Sequence, residues 1–214
     1  EETSSYASAK EDTTMTPSPA CYVLICSFEH CFLHAYLDQG GVPTIGWGHI
    51  AGVHMGDTCT QQQADLWLEE EIAEYAYYVN QTVDIYHWTQ YEFDALVSFT
   101  YNCGPGNFRS LTNKNQRTKQ QIIDAFPSFN KVKQGNVRIV SNGLVRRRRE
   151  ELNLFLTGTL SQSVIDDAPP ETPHKGEYQT GATGGEGYFY PQKPVYYRFS
   201  KSPLIYYLKP WWKL

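Results

Sequence analysis

The spacing of apolar residues changes partway through the first third of the chain. Cys21, Leu24, Ile25, Phe28 and Phe32 recur at intervals of three and four, which places them on one stripe of a short helix. Ser18-Pro19 ahead of them has the form of an N-cap followed by proline in the first turn. After Ala35 the helical period is lost. Asp38-Gln39-Gly40-Gly41 is a turn signal, and Val42-Pro43-Thr44-Ile45-Gly46-Trp47-Gly48 is a glycine-punctuated, strand-like run. Residues 35–58 are therefore expected to form a small antiparallel sheet, too short to stand without helices against it.

The helical period then returns. Thr60-Gln61-Gln62-Gln63 has the capping-box pattern and opens a long helix to about Val79. Thr89-Gln90-Tyr91-Glu92 opens another, with Phe93, Leu96, Val97 and Thr100 on one face. Asn102-Cys103-Gly104-Pro105-Gly106 ends it with helix breakers. Two further helices are expected near 116–126 and 143–156. A small sheet followed by a run of helices is an α+β domain. Residues 1–17, rich in Thr, Ser and acidic side chains, have the composition of a flexible leader. The domain proper is expected over 18–157. Residues 158–214 combine a Pro/Gly/Thr-rich linker, Asp166–Gly187, with an aromatic-rich extension from Tyr188 to Trp212. The extension is expected to pack on the domain as a strap, with wall binding or contact with another domain as the alternatives.

Composition narrows the function classes. The 214 residues suffice for one domain with an appendage and a real core. The net charge of −5, from 18 Lys+Arg and 23 Asp+Glu, argues against a protein that binds nucleic acid along its surface. The run Arg146–Arg149 does not reverse that, because four consecutive helical residues point in all directions. No stretch approaches the ~18 apolar residues of a membrane span. The N-terminus has neither the basic nor the apolar region of a signal peptide, and without an initiator Met the chain is expected to be a processed product or a piece of something longer. The five cysteines, Cys21, Cys26, Cys31, Cys59 and Cys103, do not have zinc-ligand spacing and are expected to be core thiols. His49, His54 and His87 have no third ligand at useful spacing, so no metal is expected, and no cofactor.

Candidate chemistry lies where the first helix meets the sheet. Glu29 falls near the helix C-terminus, Asp38 precedes the hairpin turn and Thr44 follows it. A hairpin brings Asp38 and Thr44 together and turns both toward Glu29. Two carboxylates with a hydroxyl are the parts needed for glycoside hydrolysis: one acid protonates the leaving oxygen, and the other carboxylate handles a water or the sugar cation.

The residues around this triad add a resemblance. Phe28-Glu29-His30-Cys31-Phe32-Leu33-His34-Ala35-Tyr36-Leu37-Asp38 through Gly46-Trp47-Gly48-His49 closely resembles the signature of phage-type lysozymes, glycoside hydrolase family 24. Ala95-Leu96-Val97-Ser98-Phe99-Thr100-Tyr101-Asn102-Cys103-Gly104 and Asn142-Gly143-Leu144-Val145-Arg146-Arg147-Arg148-Arg149-Glu150-Glu151-Leu152 resemble two more of its motifs, in the family's order. The resemblance implies a lysozyme-like fold with the active-site cleft between a small sheet and a helical lobe. It implies that Glu29 is the general acid and that Asp38 and Thr44 hold the attacking water on the opposite face of the sugar, an inverting arrangement. Asn102 then matches a substrate-touching groove residue, Arg147 an arginine lying against the acid, and His49 a structural residue. At the margin of the core, loss of water favours the protonated form of Glu29, whereas Arg147 favours the carboxylate, and the residues alone leave that balance open. Asn113-Lys114-Asn115-Gln116 departs from the family's Leu-rich pattern and leaves the helix register there open.

The implied activity is hydrolysis of the β-1,4 bond between N-acetylmuramic acid and N-acetylglucosamine in peptidoglycan, by a monomer. The protein would act in the periplasm or on the wall of target bacteria after export, injection or holin-mediated release. Two contexts fit, a phage endolysin and the lysozyme domain of a secreted antibacterial effector. The second would bring an immunity protein or neighbouring domains of a parent chain as partners. The alternative class is a muramidase-like module that binds peptidoglycan or a partner with little turnover.

Overall fold

The computed structural model describes residues 13–168, Gln39 excepted. The first helix, α1 (Pro19–Cys26), starts as its sequence dictates: Ser18 is extended and its side chain accepts from the Ala20 N–H. It stops earlier than the apolar stripe suggests. Ser27 donates its hydroxyl to the Leu24 carbonyl, the Phe28 and Glu29 N–H groups both bond Ile25 O, and the chain turns away. Phe32, which continues the three-and-four spacing, instead begins a strand, β1 (Phe32–Leu37). The strand pairs antiparallel with β2 (Pro43–Gly46), with Tyr36 opposite Thr44, Leu37 opposite Pro43, and an irregularity between Phe32 and Tyr36.

The helices α2 (Gln61–Asn80), α3 (Val83–Tyr86) and α4 (Gln90–Cys103) follow. Thr89 and Glu92 form the full reciprocal capping box at the start of α4. The sequence places four residues of α4 on a buried face, but the structure buries every residue from Phe93 to Thr100. The helix is central, packed on α1, on α2 and on the later helix α7 (Asn142–Thr157), so it has no solvent stripe over that span.

The breakers after Cys103 end one helix and start the next. Pro105 is the first residue of α5 (Pro105–Leu111), a position that tolerates proline because its missing N–H has no helical partner anyway. The helix expected from 116 starts instead at Lys119, because Thr118 and Gln121 form a capping box: α6 (Lys119–Ala125) runs into a 3-10 turn at Phe126–Ser128. A hairpin absent from the sequence reading follows, β3 (Lys131–Gln134) paired with β4 (Val137–Val140), exposed throughout. Helix α7 ends at Gly158, whose φ of +70° suits the left-handed cap and whose bare Cα lets the Tyr91 ring approach.

Both ends of the described chain differ from expectation. Residues 13–17 fall in the expected flexible leader but are tied down. The Met15 N–H donates to Asn80 Oδ1 at 2.8 Å, Asn80 Nδ2 returns a bond to Met15 O at 2.9 Å, and Gln90 Nε2 donates to Thr16 O. Past the expected domain end at 157, α8 (Gln162–Asp167) packs on α1, and Arg146 of α7 pairs with Asp167. The rest of the leader and the aromatic extension lie outside the described residues.

Candidate active site

Glu29 lies in the link between α1 and β1, with its side chain 26% exposed. Its carboxylate accepts from Arg147 Nη1 at 2.5 Å. Arg147 comes from α7 and is buried, and its guanidinium also rests near the Phe28 ring, 5.3 Å from the centroid. Burial pulls the Arg147 pKa down, but Glu29 and Glu151 outweigh it and hold the group above the ordinary arginine value.

The support continues inward. Glu151, with no exposed side-chain surface, accepts from Ser98 Oγ at 2.9 Å, Arg147 Nε at 3.2 Å and Arg148 Nη2 at 2.9 Å. Arg148 Nε also stands 2.7 Å from Glu151 Oε2, an ion pair angled wrongly for a hydrogen bond. Arg148 lies over the Phe99 ring and donates to Asn102 Oδ1 at 2.9 Å. One carboxylate thus organises two guanidiniums, one pointed at Glu29 and the other at Asn102 in the last turn of α4.

The other half of the site is the β1–β2 hairpin. Asp38 is exposed, and its Oδ1 accepts from the N–H groups of Gly40 and Val42, each at 2.8 Å. Thr44 is buried on β2, and its hydroxyl donates to Val42 O at 3.0 Å. The Asp38 N–H bonds the same Val42 carbonyl, so Asp38 and Thr44 converge on one residue of the turn. Tyr36 is paired with Thr44, and burial raises its hydroxyl pKa, with the charges of Glu29 and Asp38 raising it further.

His49 is not brought to Glu29. It lies in the turn after β2, stacked on Trp67 of α2 at 4.4 Å, with Nδ1 against Glu71 Oε1 and Nε2 against Ala51 O. Trp47 Nε1 donates to Asp65 of α2, and the Tyr101 hydroxyl of α4 donates to Trp47 O. These contacts dock the sheet on the helices. Cys26 and Cys31 flank Glu29 in sequence, but burial raises both thiols, Cys31 to about 12, which keeps them protonated. All five cysteines are free, and among the described residues no three His, Cys, Asp or Glu cluster as metal ligands. No helix among them is long and apolar enough to cross a membrane.

Each member of the arginine run is paired: Arg146 with Asp167, Arg147 with Glu29 and Glu151, Arg148 also with Glu151, and Arg149 with Glu150. The sequence gives Arg147 a site role but none to Arg148, Glu151, Ser98 or Tyr36. The spacing of Arg147 and Arg148 from Glu151, four and three residues on one helix, was the available signal.

An α+β fold with an acid between a helix and a short hairpin is lysozyme-like. The profile of the family described as Phage lysozyme matches residues 26–151, and the chain belongs to that family. The endolysin of Bacillus phage B103 is 35% identical over 167 residues, covering 74% of this chain and 60% of that protein. The chain therefore spans less than two thirds of that relative's length. Among solved structures, the endolysin from Escherichia coli O157:H7 phage FAHEc1 is 34% identical with a TM-score of 0.63, covering 69% of this chain and 98% of that one. The muramidase domain of SpmX from Asticaccaulis excentricus is 31% identical with a TM-score of 0.60, covering 66% and 98%.

Proposed function

We propose that this chain is a muramidase that hydrolyses the β-1,4 bond between N-acetylmuramic acid and N-acetylglucosamine in bacterial peptidoglycan, with inversion. The observation that carries the reading is the setting of Glu29: a half-buried carboxylate on a buried arginine, at the entry to the β1–β2 hairpin that carries Asp38 and Thr44. Glu29 protonates the leaving oxygen. Asp38 and Thr44 hold the attacking water on the opposite face of the sugar. Two N–H groups already occupy Asp38 Oδ1, so Oδ2 is the oxygen that takes the water's proton. The Thr44 hydroxyl spends its proton on Val42 O and keeps its lone pairs for the water. Arg148 holds Asn102 by its oxygen, which leaves the amide N–H₂ to donate to the glycan. His49 supports the sheet. The named relatives are endolysins and a muramidase domain, which favours release onto the wall during phage lysis over delivery as an effector.

The test is digestion of purified peptidoglycan by the parent and by Glu29→Gln, with the released fragments weighed by mass spectrometry. Reducing muropeptides from the parent and at least a hundredfold fewer from the variant are expected, about the scale of general-acid catalysis. Anhydro products would replace hydrolysis with transglycosylation. Sedimentation with the wall and no release by either protein would leave a binding module. The anomer formed first, read by NMR, decides inversion.

A further inference from the structure

Strand β1 spans the interval between Glu29 and Asp38, and its residues have different surroundings. Cys31 and Leu33 pack against the hydrophobic core. Phe32 and Tyr36 stand outside that core and are only half-buried. Their rings lie 4.6 Å apart, tilted by 54°. His30, next to Glu29, continues the row with its ring 6.3 Å from Phe32. Tyr36 sits opposite Thr44, and Phe32 sits opposite Gly46. The row thus begins beside Glu29 and ends two residues before Asp38.

Two large rings half in water add little to the core, and their place between the site carboxylates calls for an occupant. A pyranose presents an apolar C–H face that packs flat on an aromatic ring. We propose that Phe32 and Tyr36 form a stacking platform for an N-acetylated sugar of the glycan strand, holding it beside the bond to be cut. This rests on the muramidase reading and adds a subsite to it. A neutral sugar face fits better than the anionic stem peptide, because β1 has no lysine or arginine to meet a carboxylate.

Phe32→Leu keeps apolar volume and removes the flat face. On purified peptidoglycan its KM is expected to rise by about fivefold to tenfold, with kcat changed by less than about twofold, and Phe32→Trp to restore KM. In Glu29→Gln, the Phe32 and Tyr36 ring resonances are expected to shift when the N-acetylglucosamine hexamer is added, and not with a free stem tetrapeptide. An unchanged KM in Phe32→Leu, or ring shifts with the peptide and not the hexamer, overturns the platform. Should Phe32→Leu fail to fold, the ring shifts in Glu29→Gln decide alone. Shifts with the hexamer but no hydrolysis by the parent would sink the muramidase reading and keep the platform, whereas hydrolysis with silent rings would do the reverse.

Discussion

The two halves of the site are held by different means. Glu29 is fixed by Arg147, 118 residues away in sequence, and Arg147 by Glu151, which also bonds Ser98 of another helix. Asp38 is fixed by N–H groups two and four residues further along its own turn. The position of Glu29 is a property of the packed α4–α7 seam, whereas the Asp38–Thr44 side is built locally. Damage to the core should displace the first and spare the second.

The largest effect expected from this contrast follows loss of Glu151. Glu151→Ala leaves two buried guanidiniums without their shared carboxylate, and breaking a buried charge pair costs about 3–5 kcal/mol. Urea denaturation should show a loss of that size, with activity reduced even where the protein is still folded. A loss below about 1 kcal/mol would mean that the seam does not hold the acid.

Helix α4 also carries a buried carboxylate with no cation among its hydrogen-bond partners. Asp94 on α4 accepts from the Ser18 N–H and hydroxyl and from Gln90. Burial pushes it up to about 6, against those three donors, which favour the charged form. A carboxyl raised in the folded state binds its proton there while the unfolded chain has already released it. Its contribution is therefore full below about pH 4 and declines as pH rises through about 6, by up to about 3 kcal/mol. Asp94→Asn should flatten this part of the stability profile. A parent stability that rises from pH 4 to 7 by the same amount in both proteins would refute the assignment.

The locally built half should respond more weakly. Asp38→Ala removes two hydrogen bonds from an exposed turn and should lower stability by about 1–2 kcal/mol, while peptidoglycan release is lost. A stability loss as large as that of Glu151→Ala would erase the distinction between the halves.

Legibility in the sequence follows the same division. The turn carrying Asp38, the caps at Ser18 and Thr89 and the central helix are written in adjacent residues, where turn chemistry and spacing act. Glu29 is reached both from its place beside the Asp38–Thr44 turn and from motif resemblance, Arg147 from resemblance alone. Arg148 and Glu151 read as solvated or paired with each other along one helix, and the bond to Ser98 is not legible until a second helix is packed on them. The β3–β4 hairpin carries a signal that the reading passes over: Gly135-Asn136 joins two short alternating runs, Lys131-Val132-Lys133 and Val137-Arg138-Ile139. The end of α1 was misplaced because Phe32 keeps helical spacing while lying in a strand.

The smallest effect tests whether a locally built segment tolerates strain when nothing distant depends on it. After α5, Asn113, Lys114 and Asn115 have φ values of +47°, +55° and +66°, in a turn without glycine. Asparagine tolerates the left-handed region because its short side chain can bond locally, but lysine gains nothing there. Lys114 is exposed, and its N–H bonds Arg109 O at 2.8 Å, a bond that needs no side chain. Lys114→Gly removes the clash between Cβ and the backbone but loosens the unfolded chain, so the two effects partly cancel. A net gain of roughly 0.5 kcal/mol is expected, seen as a small rise in Tm with hydrolysis unchanged. A fall in Tm would mean that the lysine side chain supports the turn, and that even this local segment draws on contacts beyond its own backbone.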